Sequence, residues 1–313
     1  MSDLATAART VVDRCVAVQP GENVLVVCDP DRVEIAKALH AAALEAGGDA
    51  IYAVLPPRPE RGTEPPPTIA AAFGACDVFL APCLPSLSHT KARKAANERG
   101  ARGATLPGAL EEMFARLMSA QFDAMARRSV EVADLLSGAD EAHFTCPKGS
   151  DMRFDLRGRE AIPDTGELTA AGAFGNLPCG EAFIAPIGGS GTIVATTVGS
   201  FGSELGEVRI TVEDGRLADV SSEGARFAEH LDAHGPDGRH LAELGVGTNE
   251  RARLTGNLLE DEKILGTVHV AFGASAGIGG TVNVPVHEDV VVIGPTLTIG
   301  GTTVVDAGRF VLS

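Results

Sequence analysis

Apolar positions in the first 138 residues alternate between a helical period of about 3.6 residues and short continuous runs. The spacing predicts an amphipathic helix from Leu4 to Val18, a strand from Asn23 to Cys28, and a helix from Asp31 to Ala46 capped by Asp29 or Asp31. A strand from Ala50 to Leu55, a Pro-rich loop over 56–67 and a helix near Ile69 to Ala75 come next. Strands at Asp77 to Ala81 and Gly103 to Leu106 then lead into one long helix from Leu110 to Leu136. Short buried strands alternating with helices define an α/β domain built on a parallel sheet.

Past residue 140 the segments become short, β-rich and punctuated by glycine. EDG at 213–215 and IGGTT at 299–303 have hairpin-turn composition, and helices are expected at Glu223 to Ala233 and within GNLLEDEKI. The expected organisation is an α/β domain over 1–140 followed by a β-rich α+β catalytic domain over 141–313.

Composition narrows the function classes. With 313 residues, 44% of them hydrophobic, the chain can bury substantial cores. A formal charge of −16 disfavours nucleic acid and anionic membrane surfaces, and the basic stretch from Lys91 to Arg102 has the spacing of a solvated helix face. The chain lacks Trp and has one tyrosine, Tyr52, which removes the usual base-stacking platforms. No apolar run reaches the ~18 residues of a membrane span, and no basic-flanked leader is present, so a cytoplasmic protein is expected. Six scattered cysteines without CxxC spacing argue against a thiolate metal site or a disulfide framework.

The candidate chemistry lies in the last half. In VPVHEDVVVI (284–293), His287 and Asp289 are two apart on a strand pattern and share one face. GTVHVAFG centres His269 in a second apolar strand, GNLPCGEAFIAP sets Glu181 at a strand entry, and AELGVGTNE holds Glu243 beside a glycine-flanked turn. Singly, each has an ordinary structural role as a core histidine, a rim acid or a helix cap. Together they form an N/O donor set suited to Zn, Mn, Co or Fe. If all five converge, two divalent ions follow, because one tetrahedral ion cannot use five ligands and keep a position open for water. His89, in SLSHT beyond the strand Asp77 to Ala81, sits where open α/β sheets place ligands and is a candidate catalytic residue.

These motifs, in this order, resemble those of the aminopeptidase T/aminopeptidase S family of metallo-aminopeptidases: GNLPCGEAFIAP, ELGVGTN, GNLLEDEKILGTVHVAFG and VHEDVVV, with SLSHTKARKAANERGARGATLPG in the first domain. The resemblance implies that Glu181, Glu243, His269, His287 and Asp289 bind two divalent ions (Zn, Co or Mn). It also implies a homodimer with active sites facing an internal cavity, and hydrolysis of a small peptide or small amide by metal-bound hydroxide. Glu243 is the first candidate for general base, with Glu260 and Glu262 weaker because LEDEK reads as a solvated helix.

One departure stands out, since Ala276 occupies the position where the peptidases carry a tyrosine able to stabilise the tetrahedral intermediate. The rival reading is a resemblance to the ferrous 2,5-dihydroxypyridine dioxygenases, expected to use one Fe(II) and to carry a histidine where this chain has Glu243. A third is a binding or structural descendant without turnover, which the retained carboxylates argue against.

Overall fold

The structure, a computed structural model of the chain, describes residues 3–56, 63–84 and 86–312. It divides into two compact units, Met1–Ala120 with Gly166–Cys179, and Gln121–Thr165 with Gly180–Ser313.

The first unit is an α/β layer around five parallel strands in the order Asp49–Val54, Asn23–Cys28, Val78–Ala81, Arg102–Thr105, Phe174–Asn176. The strands Asn23–Cys28 and Val78–Ala81 are apolar and, apart from Asn23, buried along their length, as a sheet covered on both faces requires. Asp29 caps the turn after the first strand by accepting from Asp31 N, and Thr90 caps the helix Lys91–Glu98. The fifth strand, Phe174–Asn176, enters from a segment that the hydrophobic pattern does not mark as a strand. Half of the expected loop over 56–67 falls on 57–62, outside the described residues.

The expected long helix is two helices, Glu111–Leu117 and Phe122–Ser137. Two side-chain contacts mark the break: Ser119 Oγ donates to the Arg116 carbonyl at 2.7 Å, and the Gln121 N–H donates to the sequence-distant Glu250 Oε1 at 2.6 Å instead of continuing the helix. The second of these helices packs with the second unit, on the strand Glu181–Ile184.

The second unit holds two antiparallel sheets. Eight strands run in the order Arg216–Val220, Val208–Glu213, Gly188–Ala195, Asp151–Asp155, Glu141–Thr145, Thr296–Ile299, Thr302–Asp306, Arg309–Phe310. Six run in the order Thr197–Val198, His287–Val292, Val268–Gly273, Leu241–Gly247, Glu181–Ile184, Ile162–Asp164. The hairpin turns fall where their composition places them, with Asp214 and Gly215 at φ of 47° and 73° and Gly300 and Gly301 at 54° and 86°. Paired positive φ values give the tight turn that matches strand twist.

Side chains from both sheets merge in one buried cluster that includes Phe144, Phe154, Ile193, Phe227, Val268 and Phe272. From the six-stranded sheet the contributors are Ala182 and Ile184, Leu244 and Val246, Val268, Val270 and Phe272, Val290 and Val292. Residues between them point to the opposite face, and those are Glu181, Glu243, His269, His287 and Asp289.

Phe272 is fully buried and packs edge-on against Phe227, ring centroids 6.2 Å apart. Phe272→Ala is expected to lower unfolding free energy by about 3–5 kcal/mol in urea titration. A loss below about 1 kcal/mol would show that the core is not closed around this ring.

Candidate metal centre

The face of the six-stranded sheet away from the core brings the five expected residues together on four adjacent strands. Register sets their rows: Glu243 pairs across to Ala271, and Ala271 to Asp289 on its other side; Gly245 pairs to His269; Gly273 pairs to His287. Small residues stand beside the large polar ones, and this makes room. A Cβ on Gly245 would lie 1.8 Å from His269 Nε2, so glycine is required where the imidazole crosses the neighbouring strand.

Glu243, His287 and Asp289 converge most tightly, with one ligand atom from each lying within 4.8 Å of the others. His287 Nε2 is 3.3 Å from Glu243 Oε2 and 3.7 Å from Asp289 Oδ1. His287 Nδ1 is 2.7 Å from the Ala274 carbonyl oxygen, which can only accept, so Nδ1 carries a hydrogen and Nε2 is the atom aimed at the carboxylates. A contact of this kind on the remote nitrogen is the one by which metal-binding imidazoles are usually oriented.

His269 extends the group, its Nε2 lying 3.2 Å from Glu243 Oε1 and 3.2 Å from Glu181 Oε2. Only the first contact is aligned as a hydrogen bond, leaving Glu181 Oε2 and His269 Nδ1 buried and without a hydrogen-bond partner. A buried carboxylate oxygen without a donor is a position that a cation satisfies. With three carboxylates and two imidazoles, and no thiolate, the residues present fit a divalent transition metal.

Charge among these side chains is balanced internally. Burial opposes the charged form of Glu243, yet hydrogen bonds from His269 and His287, and their charges, hold its carboxyl down at about 2. Burial also opposes charge on His269, but the Glu243 hydrogen bond and the carboxylates of Glu181, Glu243 and Asp289 raise it to about 9. His287 is raised well above the ordinary imidazole value against the same burial cost, by Asp289 and Glu243. Glu262 is pushed up to about 8 by burial and by the neighbouring charges of Glu181 and Asp289, with Lys263 pulling the other way.

Lys263, outside the set expected from the sequence, contacts it. Its ammonium is wholly buried and donates to Glu181 Oε1 and Glu262 Oε1, each at 2.7 Å. The LEDEK stretch is not a solvated helix: Glu260, Asp261 and Lys263 are at most 1% exposed. Asp261 accepts from Thr197 Oγ1 and from the backbone N–H groups of Thr255 and Gly256. Glu260 accepts from Arg253 N. A charge run flanked by apolar residues was the available signal, and it points equally to surface. His89 is exposed and lies in the first unit, in the turn before the helix Lys91–Glu98.

The chain belongs to the NicX family, described as 2,5-dihydroxypyridine 5,6-dioxygenase, whose sequence pattern matches residues 3–312. No curated protein matches the sequence. Among solved structures, 2,5-dihydroxypyridine dioxygenase from Pseudomonas putida is similar with a TM-score of 0.84 at 18% identity, covering 100% of this chain and 99% of that one. AmpT from Thermus thermophilus is similar with a TM-score of 0.72 at 18% identity, covering 99% of each chain. At these identities the two structures show a shared fold.

Family membership corrects the expected activity. The metallo-aminopeptidase reading, a hydrolase and protease with a peptide or amide substrate, gives way to an enzyme of a dioxygenase family. The physical reason was present at Ala276, which lies exposed in the short turn Ala276–Ile278 and offers no hydroxyl to a tetrahedral intermediate. Among the described residues no helix is long and apolar enough to cross a membrane.

Two outcomes are expected. Gly245→Ala should displace the His269 ring and weaken divalent-metal binding by about 10-fold or more, read by calorimetric titration. Unchanged affinity would remove His269 from the centre. Because the folded-state values of His269 and Glu262 are raised above their unfolded values, their contribution to stability is full at low pH and is lost as pH rises through about 8 to 9. For His269 alone that loss approaches about 3 kcal/mol. Urea midpoints of cation-free protein should fall from pH 6.5 to 9, and added divalent metal should abolish the fall; a flat profile without metal would contradict the charge balance described here.

Proposed function

We propose that this protein is a metal-dependent, ring-opening dioxygenase acting on a hydroxylated pyridine, with one ferrous ion held by Glu243, His287 and Asp289. The observation that carries the reading is the convergence of those three side chains, within 4.8 Å, in a chain that belongs to the NicX family over almost its whole length. One imidazole with two carboxylates is a variant of the two-histidine, one-carboxylate arrangement of non-haem iron oxygenases. His269, on the other oxygen of Glu243, supplies the second imidazole at one remove.

Bound there, ferrous iron supplies the redox chemistry that lets dioxygen react with a closed-shell aromatic ring. The chain supplies orientation and proton handling. His287 is fixed by the Ala274 carbonyl, so its Nε2 presents one direction to the centre. Glu243 presents Oε2 to His287 and Oε1 to His269, and the His269 contact keeps the carboxylate from rotating. Glu262, raised to about 8, holds a proton at its carboxyl near neutral pH and is suited to exchange it with a substrate hydroxyl. Phe183 alternates onto the same face as Glu181, half-buried, and gives an aromatic wall for a flat heterocycle.

The test is oxygen consumption by protein purified without oxygen and loaded with Fe(II), using 2,5-dihydroxypyridine. Equimolar uptake of oxygen and loss of substrate is expected, reduced more than about 100-fold in His287→Ala and in Asp289→Ala. Iron-loaded protein that leaves the pyridine and the oxygen untouched would sink the reading.

A further inference from the structure

Of the five residues on the sheet face, two, Glu181 and His269, stand outside the converging trio, and a cation of the protein's own already serves one oxygen of Glu181. Glu181 Oε1 accepts from Lys263 Nζ at 2.7 Å, and His269 Nε2 is 3.2 Å from Glu243 Oε1. Lys263 is 0% exposed and reaches a second carboxylate, Glu262 Oε1, at the same 2.7 Å. An ammonium is not a surface accident in such a place. Burying it is costly unless a partner carries the opposite charge, and Glu181 is itself buried, so each side of that pair requires the other.

The placement of Lys263 is fixed by the fold. It follows the one-turn helix Leu258–Asp261, and its carbonyl accepts from Asn249 N at 2.9 Å. Asp261, wholly buried, pins that helix to Thr197 Oγ1 at 2.6 Å. Thr197 lies on the edge strand paired to His287–Val292, which carries the trio's His287 and Asp289. The ammonium is therefore held against Glu181 by backbone and buried side-chain contacts rather than by its own flexible stem.

We propose that Lys263 is a resident cation of this centre, standing with its single charge in place of a second metal ion and limiting the chain to one divalent ion. This inference rests on the reading of Glu243, His287 and Asp289 as a metal site. A second divalent ion would have to recruit Glu181 and His269 while lying beside a fixed positive charge. Lys263 is a positioning residue, since it acts through Glu181, whose other oxygen faces His269 Nε2 at 3.2 Å.

Equilibrium dialysis of the full chain against Mn²⁺, with metal counted by mass spectrometry, tests this without substrate or oxygen. Wild type is expected to bind one ion per chain. Lys263→Met is expected to bind two, with affinity for the second raised at least about 100-fold by loss of the adjacent charge. Should that variant fail to fold, Lys263→Met combined with Glu262→Gln removes the ammonium and replaces the carboxyl it contacts with a neutral amide of the same size, and is expected to bind two ions as well. Glu181→Gln should keep the wild-type count of one. Two ions in wild type, or one ion in a folded Lys263→Met chain, overturns the proposal. No ion in wild type overturns it together with the metal-site reading, whereas one bound ion without pyridine oxidation leaves it standing while the proposed activity fails.

Discussion

Carboxylates that water scarcely reaches must be neutralised from within, and that requirement organises the second half of this chain. Glu181, Glu243 and Asp289 are each under 10% exposed. Leaving one of them uncompensated would cost several kcal/mol, a large part of a domain's stability. Lys263 answers for Glu181, while His269 and His287 answer for Glu243 and Asp289. The imidazoles are held charged in the cation-free chain by the same carboxylates. Two protons on two rings carry the charge of one divalent ion, so exchanging them for a metal preserves the balance that keeps the face folded.

That face exists because strand alternation is strict. Core residues and charged residues occupy alternate positions on Val268–Gly273 and on His287–Val292, and a slip of one residue would drive His269 or Asp289 into the cluster around Phe272. The energetic penalty of such a slip fixes register more firmly than backbone hydrogen bonds alone. The irregularity between Leu241 and Glu243 is the exception, and it falls at the carboxylate shared by both imidazoles. An extra residue there re-aims a side chain, which is a recurrent use of bulges beside functional sites.

Much of this was legible in the chain itself. The parallel sheet followed from buried strands alternating with helices, the hairpins from Asp214–Gly215 and Gly300–Gly301, and the shared face of His287 and Asp289 from their spacing. Other features were carried by contacts that no local pattern encodes. The helix break at Ser119 to Gln121 depends on Glu250, more than a hundred residues away. The partner that orients His287 is a backbone carbonyl, at Ala274, which every residue possesses. Lys263 looked like one more member of a charge run, because sequence shows that charges are near one another and not whether water is near them. The expected activity is corrected for a related reason: Glu, His and Asp donors suit hydrolytic and oxidative metals alike, and the two residues that bear on the choice, Glu243 and Ala276, point in opposite directions.

The same decoupling accounts for how one fold serves different chemistries. Positions that build the core and positions that face the centre alternate along the same strands, so either set can change while the other is kept. Similarity to a dihydroxypyridine dioxygenase and to AmpT at 18% identity each, over essentially full length, is what such a scaffold would leave behind. Ala276 belongs to neither set, since it lies in a turn beyond the strand Val268–Gly273. A residue there can gain or lose a hydroxyl without touching core or ligands, and chemistry at the centre can shift while the buried charge remains balanced.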